Sequence, residues 1–153
     1  MLEINRDQEV NFEQVDITGS RLVGAITVLG HFGPKHHGIV IGRYLLDGNV
    51  YVAENCHTGY KIATVQDFVS RYSPKADVII YPNDGEFSDI EVAQRAVNEL
   101  NKGGKGKYNL ATNNCESFSN RAMYNNSTSS QVINTAIGVA VLVGVIWYIK
   151  KAK

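Results

Sequence analysis

The side chains of this 153-residue chain best suited to nucleophilic chemistry are two cysteines, Cys56 and Cys115, and four histidines, His31, His36, His37 and His57. Cys115 lies in Asn113-Asn114-Cys115-Glu116, where a polar residue is followed three positions later by Glu, the signature of a helix-opening capping box. With Asn113 as the N-cap, Cys115 takes the second helical position. A thiol there faces unpaired backbone N–H groups and the positive end of the helix dipole. That placement predicts a thiol pKa below the free value of about 8.5. The same N–H groups, with Asn113 and Asn114 in support, are suited to hold an oxyanion during acyl transfer. A lone cysteine is more often a small buried hydrophobe, so the chemistry needs a base as well.

His36 and His37 enter a strand side by side, and the alternation of a strand puts one on each face. His36 goes with Gly38 and Val40, and His37 with the more apolar Ile39 and Ile41. The pattern leaves open which face meets the Cys115 helix. A third polar group would orient the base, and Glu54 and Asn55 on the return strand are the candidates. They point to opposite faces. A two-residue turn at Asp47-Gly48 pairs His36 with Asn55, and a three-residue turn with a glycine bulge pairs it with Glu54. Either accepts from an imidazole N–H, and a carboxylate also stabilises imidazolium. Cys56 has no evident partner and reads as a reduced thiol.

Several elements must position these groups. Strands are expected over 21–29, 36–45, 50–55, 60–65 and 77–81, with a short helical turn around Asp67-Phe68-Val69 opened by Thr64 or Gln66. Ser88 and Glu91 fit a capping box, and Ile90, Ala93, Val97 and Leu100 fall on one helical face. Gly103 to Gly106 stop that helix, and a second runs from the Asn113 cap through Met123. The fold class is α+β, a small antiparallel sheet with helices packed against it. Residues 1–18 read as a loose lead-in, 19–124 as the domain and 125–131 as a linker.

Residues 132–149 carry no charge over eighteen positions and are followed by Lys-Lys-Ala-Lys. Spanning hydrocarbon takes about 17–25 such residues, and Trp147 and Tyr148 stand where interfacial aromatics are expected. The segment is expected to be a transmembrane anchor, with 150–153 a basic tail. That tail favours a cytoplasmic C-terminus, whereas reduced thiols favour a cytoplasmic domain, and the second argument carries the expectation. Fifteen basic residues balance fifteen acidic ones, so no net charge points to nucleic acid. No Cys/His spacing suits a structural metal, and no cofactor is expected.

His36-His-Gly-Ile-Val-Ile-Gly42, then Val50-Tyr-Val-Ala-Glu-Asn55, then Tyr108-Asn-Leu-Ala-Thr-Asn-Asn-Cys-Glu-Ser-Phe-Ser-Asn120 together resemble the lecithin retinol acyltransferase-like family. They are similar also to the related small phospholipase A/acyltransferases of the HRAS-like suppressor type. The likeness covers residues 19–123. It implies a circularly permuted relative of papain and of NlpC-type peptidases, with the histidine strand ahead of the cysteine helix. It also implies Cys115 as nucleophile, His36 as base, and Glu54, by the family's spacing, as the third residue, with Asn55 in reserve. Ser117 departs from the family, which usually has His there. The implied activity is thiol-dependent acyl transfer or hydrolysis on a phospholipid or other acyl ester, at a membrane and without a metal or cofactor. The alternatives are a cysteine peptidase or amidase of the NlpC type, and an inactive membrane-tethered module.

Overall fold

Consecutive apolar residues along β3 (Lys35–Arg43) and β4 (Val50–Cys56) make the centre of the molecule, because each strand is covered on both faces. The computed structural model describes residues 2–4, 15–104 and 106–151. Six strands form one antiparallel sheet: β1 (Leu2–Ile4), β2 (Arg21–Ala25), β3, β4, β5 (Gly59–Thr64) and β6 (Val78–Tyr81), in the order β1-β6-β2-β3-β4-β5. Helix α1 (Val65–Tyr72) covers one face, and α2 (Asp89–Asn101) and α3 (Cys115–Tyr124) cover the other. Leu22, Val40, Val52, Val65 and Phe68 pack on the α1 side, and Ile39, Ala53, Val92, Ala96 and Phe118 on the α2/α3 side. Val40 with Val52 and Ile39 with Ala53 are cross-strand pairs, one on each face. The α+β class with a small antiparallel sheet is therefore what the chain adopts.

Several boundaries differ from the sequence expectation. Part of the lead-in is ordered, since Leu2–Ile4 pairs with β6; residues 5–14 lie outside the described residues. Strand β2 stops at Ala25 and not at residue 29. Gly30 and the Gly33-Pro34 pair break the strand, and the chain closes a loop through Ile26 N–H to the Pro34 carbonyl at 3.0 Å. Helix α1 is a full helix capped by Thr64, whose hydroxyl accepts from the Asp67 N–H at 3.1 Å. The capping box of α2 forms as the residues suggest, but its packed stripe is Val92, Ala93 and Ala96, while Ile90 is 65% exposed.

Two corrections bear on the site. The β3–β4 hairpin changes parity through a bulge inside β3, between Val40 and Gly42, and not through a short turn at Asp47-Gly48. Gly42 takes φ +117°, which a side chain would resist, and the loop runs from Tyr44 to Asn49, closed by Tyr44 N–H to the Asn49 carbonyl at 2.9 Å. Helix α3 is capped by Asn114 and not by Asn113. Its Oδ1 accepts from the Ser117 N–H at 2.8 Å, so Cys115 is the first helical residue and Glu116 is not the capping-box acid.

Beyond α3, Asn125 ends the helix in the left-handed conformation at φ 54°. Helix α4 (Ser130–Lys151) follows, 22 residues long; its most apolar 18-residue stretch has a mean hydropathy of 2.2, and no part of that stretch is buried in the protein. By length and composition it is able to cross a membrane. The segment before it is no free spacer. Ser129 is buried, and its hydroxyl donates to Glu116 Oε2 at 2.6 Å.

Candidate active site

The bulge in β3 decides which candidates meet. Gly38 pairs with Glu54, so His36, Glu54 and Cys56 all point to the α1 face. His36 Nε2 lies 2.7 Å from Glu54 Oε2. Glu54 is completely buried and is gripped from its other side by Arg71, with Nη2 to Oε1 at 2.5 Å and Nη1 to Oε2 at 3.1 Å; Lys61 Nζ stands 3.8 Å from Oε1. Burial works to raise the Glu54 pKa, but the His36 and Arg71 hydrogen bonds outweigh it and hold the carboxyl below its ordinary value. An ionised Glu54 accepts a hydrogen bond from His36 Nε2–H, a tautomer that leaves the ring's lone pair on Nδ1.

Helix α1 fixes the ring's plane. Tyr72 stacks on His36 at 5.1 Å and Phe68 at 5.8 Å, and the Arg71 guanidinium lies 5.1 Å from the Tyr72 ring. Phe68, Arg71 and Tyr72 are spaced i, i+3, i+4 and so share one helix face. Sequence reading missed Arg71 and Tyr72. Their signal was that spacing from Phe68, which becomes visible only once 65–72 is read as a whole helix.

Cys115 approaches from α3 and is buried. Its Sγ donates to the Lys35 carbonyl at 3.7 Å, and the His37 N–H is among the groups that favour its thiolate. The thiol thus lies against the backbone on either side of His36. Among the described residues its hydrogen bond is to that backbone and not to the His36 ring. Burial pushes the Cys115 pKa up to about 11, against the N–H groups of His37, Glu116 and Cys115 itself, which pull it down. This corrects the expectation of a lowered pKa: a helix start favours thiolate only where the anion is solvated or paired, and here desolvation is larger. Burial raises the pKa of both Tyr72, against the charge of Arg71, and Tyr108, and both thiols act in the same direction as burial on each. The two cysteines, Tyr72, Tyr108 and His36 therefore form one neighbourhood.

The remaining candidates have other work. Asn55 faces the α2/α3 side, where its Nδ2 donates to the Asn113 carbonyl at 3.1 Å and to Asn113 Oδ1 at 3.2 Å. It holds the lead-in to α3 and does not touch His36. Asn113 Oδ1 also accepts from Tyr60 and Arg121, while its amide donates to the Gly106 and Lys107 carbonyls at 3.2 Å. Asn114 caps α3 and donates to the Leu110 carbonyl at 2.7 Å. Both amides are committed to the loop.

Cys56, opposite His36, has Sγ 3.8 Å from Nε2 and 3.9 Å from Glu54 Oε2, and burial raises its pKa. His36, Glu54 and Cys56 offer donors close enough to share a metal ion. The Arg71 guanidinium, bound to both Glu54 oxygens, disfavours a second cation there, so a hydrogen-bonded pair fits these residues better.

His37, on the other face, has Nε2 3.3 Å from Gln131 Nε2. Gln131 sets its own orientation on the Lys35 peptide: Oε1 accepts from the N–H at 2.8 Å and Nε2 donates to the carbonyl at 3.3 Å. Gln131 therefore donates to His37, and Glu116 Oε2 accepts from the Gln131 N–H at 3.1 Å. Burial, then the charge of Arg21, lowers the His37 pKa to about 3, so the ring stays neutral. No family model, curated protein or solved structure matches the chain.

Proposed function

We propose that the chain is a membrane-anchored, thiol-dependent acyltransferase or phospholipase of the lecithin retinol acyltransferase-like kind, with a permuted papain-like domain. Cys115 is its nucleophile, His36 its base and Glu54 the residue that orients the base. The observation that carries the reading is the buried His36–Glu54 pair, 2.7 Å apart, with the Cys115 thiol against the backbone that flanks His36. A thiol with a raised pKa is protonated at rest, so attack depends on a base. The proton passes from Sγ to Nδ1 of His36 as sulfur adds to the ester carbonyl. The carbon–oxygen bond breaks, and the leaving alcohol takes the proton back. Water, or an alcohol or amine acceptor, then attacks the acyl-Cys115 and gives its proton to His36; the carbon–sulfur bond breaks, the acid or acylated acceptor leaves, and His36 returns the proton to Sγ. Helix α4 keeps the domain at the lipid surface with its catalytic part on the cytoplasmic side, which raises the local concentration of lipid ester.

The test is covalent capture with a thiol-reactive lipid-ester probe, read by mass spectrometry of the adduct. Wild type and Cys56→Ser should carry the acyl group, and Cys115→Ser should not. His36→Ala should lose nearly all turnover of mixed phospholipids while His37→Ala keeps much of it. Equal labelling of Cys115→Ser and wild type would sink the reading.

A further inference from the structure

The β2–β3 loop holds apolar side chains out into solvent at the end of the sheet that carries Cys115. Val28 is 92% exposed and Phe32 fully so, with Ile26 and Leu29 beside them. The loop is no loose excursion: Gly30 N–H to the Thr27 carbonyl, Phe32 N–H to the Leu29 carbonyl and Gly33 N–H to the Gly30 carbonyl give it a fixed turn. Leaving a Phe or Val side chain in water forgoes about 1.5–3 kcal/mol of burial each, so a rigid loop that presents several is built to be covered. Leu110, 75% exposed, projects from the segment tied to the Asn114 cap.

What covers the loop follows from its continuity with α4. Three residues after Phe32, the Lys35 peptide is bound at both its N–H and its carbonyl by Gln131, the second residue of α4. The loop's base and the start of the apolar helix are therefore joined at one level. The same carbonyl takes the Cys115 thiol's hydrogen bond.

We propose that Ile26, Val28, Leu29 and Phe32, with Leu110, form a surface that enters the headgroup and outer acyl layer of a phospholipid bilayer beside α4, which holds the Cys115 end of the domain against its lipid. This rests on the reading of α4 as a membrane span. A second exposed apolar tip, Leu45 and Leu46, serves as an internal control, because it lies in the loop past Arg43, at the far end of β3 from Lys35, and β3 spans about 26 Å, eight strand steps of about 3.3 Å.

The experiment places the full chain in phosphatidylcholine vesicles whose acyl chains carry bromine near the headgroup, a contact quencher of tryptophan. The reporters are Trp147 of the unaltered chain and, in a Trp147→Phe background, Phe32→Trp and Leu45→Trp. A side chain lodged about 5–10 Å into the headgroup and acyl boundary meets the bromines, so the Phe32→Trp emission should fall by at least half and shift to the blue. Leu45→Trp should keep its emission. Quenching of Trp147 without quenching of Phe32→Trp overturns the proposal and leaves the anchor standing. Equal quenching at Phe32→Trp and Leu45→Trp overturns it too, as does a Phe32→Trp blue shift that follows protein concentration in unbrominated vesicles, the mark of a second copy on the loop. An unquenched Trp147 refutes the anchor reading itself and the proposal with it.

Discussion

Acid should unfasten this protein through His37. Gln131 is locked on the Lys35 peptide and can offer His37 only a donor, so the ring accepts at Nε2 and a proton there sets donor against donor. Unfolded, the ring has its ordinary pKa of 6.5, and folded it has about 3. Between those values the unfolded state binds the extra proton, so stability must fall as pH falls from 6.5 towards 3, and level off below. Each pH unit in that window is worth about 1.4 kcal/mol, which makes about 2 kcal/mol between pH 6.5 and pH 5. His37→Leu removes the titration and the buried Nδ1, which has no hydrogen-bond partner among the described residues. Urea unfolding of the full chain in nonionic detergent, followed by near-UV circular dichroism at pH 8 and pH 5, gives the comparison. Wild type should lose about 2 kcal/mol more than His37→Leu over that interval. Glu116 cannot mimic the effect, since burial raises its pKa but Ser129, Gln131 and His37 together hold it below the ordinary carboxylate value. Parallel losses in the two proteins would refute the argument.

Glu54→Gln keeps the shape but puts an amide N–H against either Arg71 or His36, both donors. The expected outcome is a loss of about 3–5 kcal/mol in stability and a fall in kcat of up to about 10⁴-fold with little change in KM, the scale seen when a triad carboxylate becomes an amide; kcat within threefold of wild type in a folded variant would remove Glu54 from the mechanism. Gly24→Ala would place a Cβ 2.5 Å from Tyr72 Cβ, so the ring stacked on His36 must move. A stability loss of about 1–3 kcal/mol and reduced turnover are expected, measured by the same unfolding assay and by initial rates on vesicles; unchanged turnover would show that the stack does not orient His36.

The sheet was readable because Ile39-Val40-Ile41 and Val50-Tyr51-Val52-Ala53 are short apolar runs on either side of a turn signal at Asp47-Gly48, and local patterns such as Ser88…Glu91 act over a few residues. What was not readable depended on single-residue shifts or distant contacts. One extra residue in the Val40–Gly42 bulge, and not the hairpin turn, sets the parity that joins Glu54 to His36. Two consecutive asparagines can each cap a helix, and only tertiary bonds from Asn55, Tyr60 and Arg121 commit Asn113 to the loop and leave Asn114 as the cap. The thiol's pKa depends on burial, which no spacing reports. Gln131 lay inside a stretch that read as a featureless linker, because its partners are 15 and 96 residues away.

That placement of Gln131 redraws where the site ends along the chain. The Lys35 carbonyl serves two donors, the Cys115 thiol and the Gln131 amide, so the resting position of the sulfur belongs jointly to residues 35, 115 and 131. A truncation meant only to discard the apolar helix alters the immediate surroundings of the proposed nucleophile if it falls before Gln131. The apolar helix and the Cys115 thiol share a peptide group, and the protein cannot be divided cleanly between them.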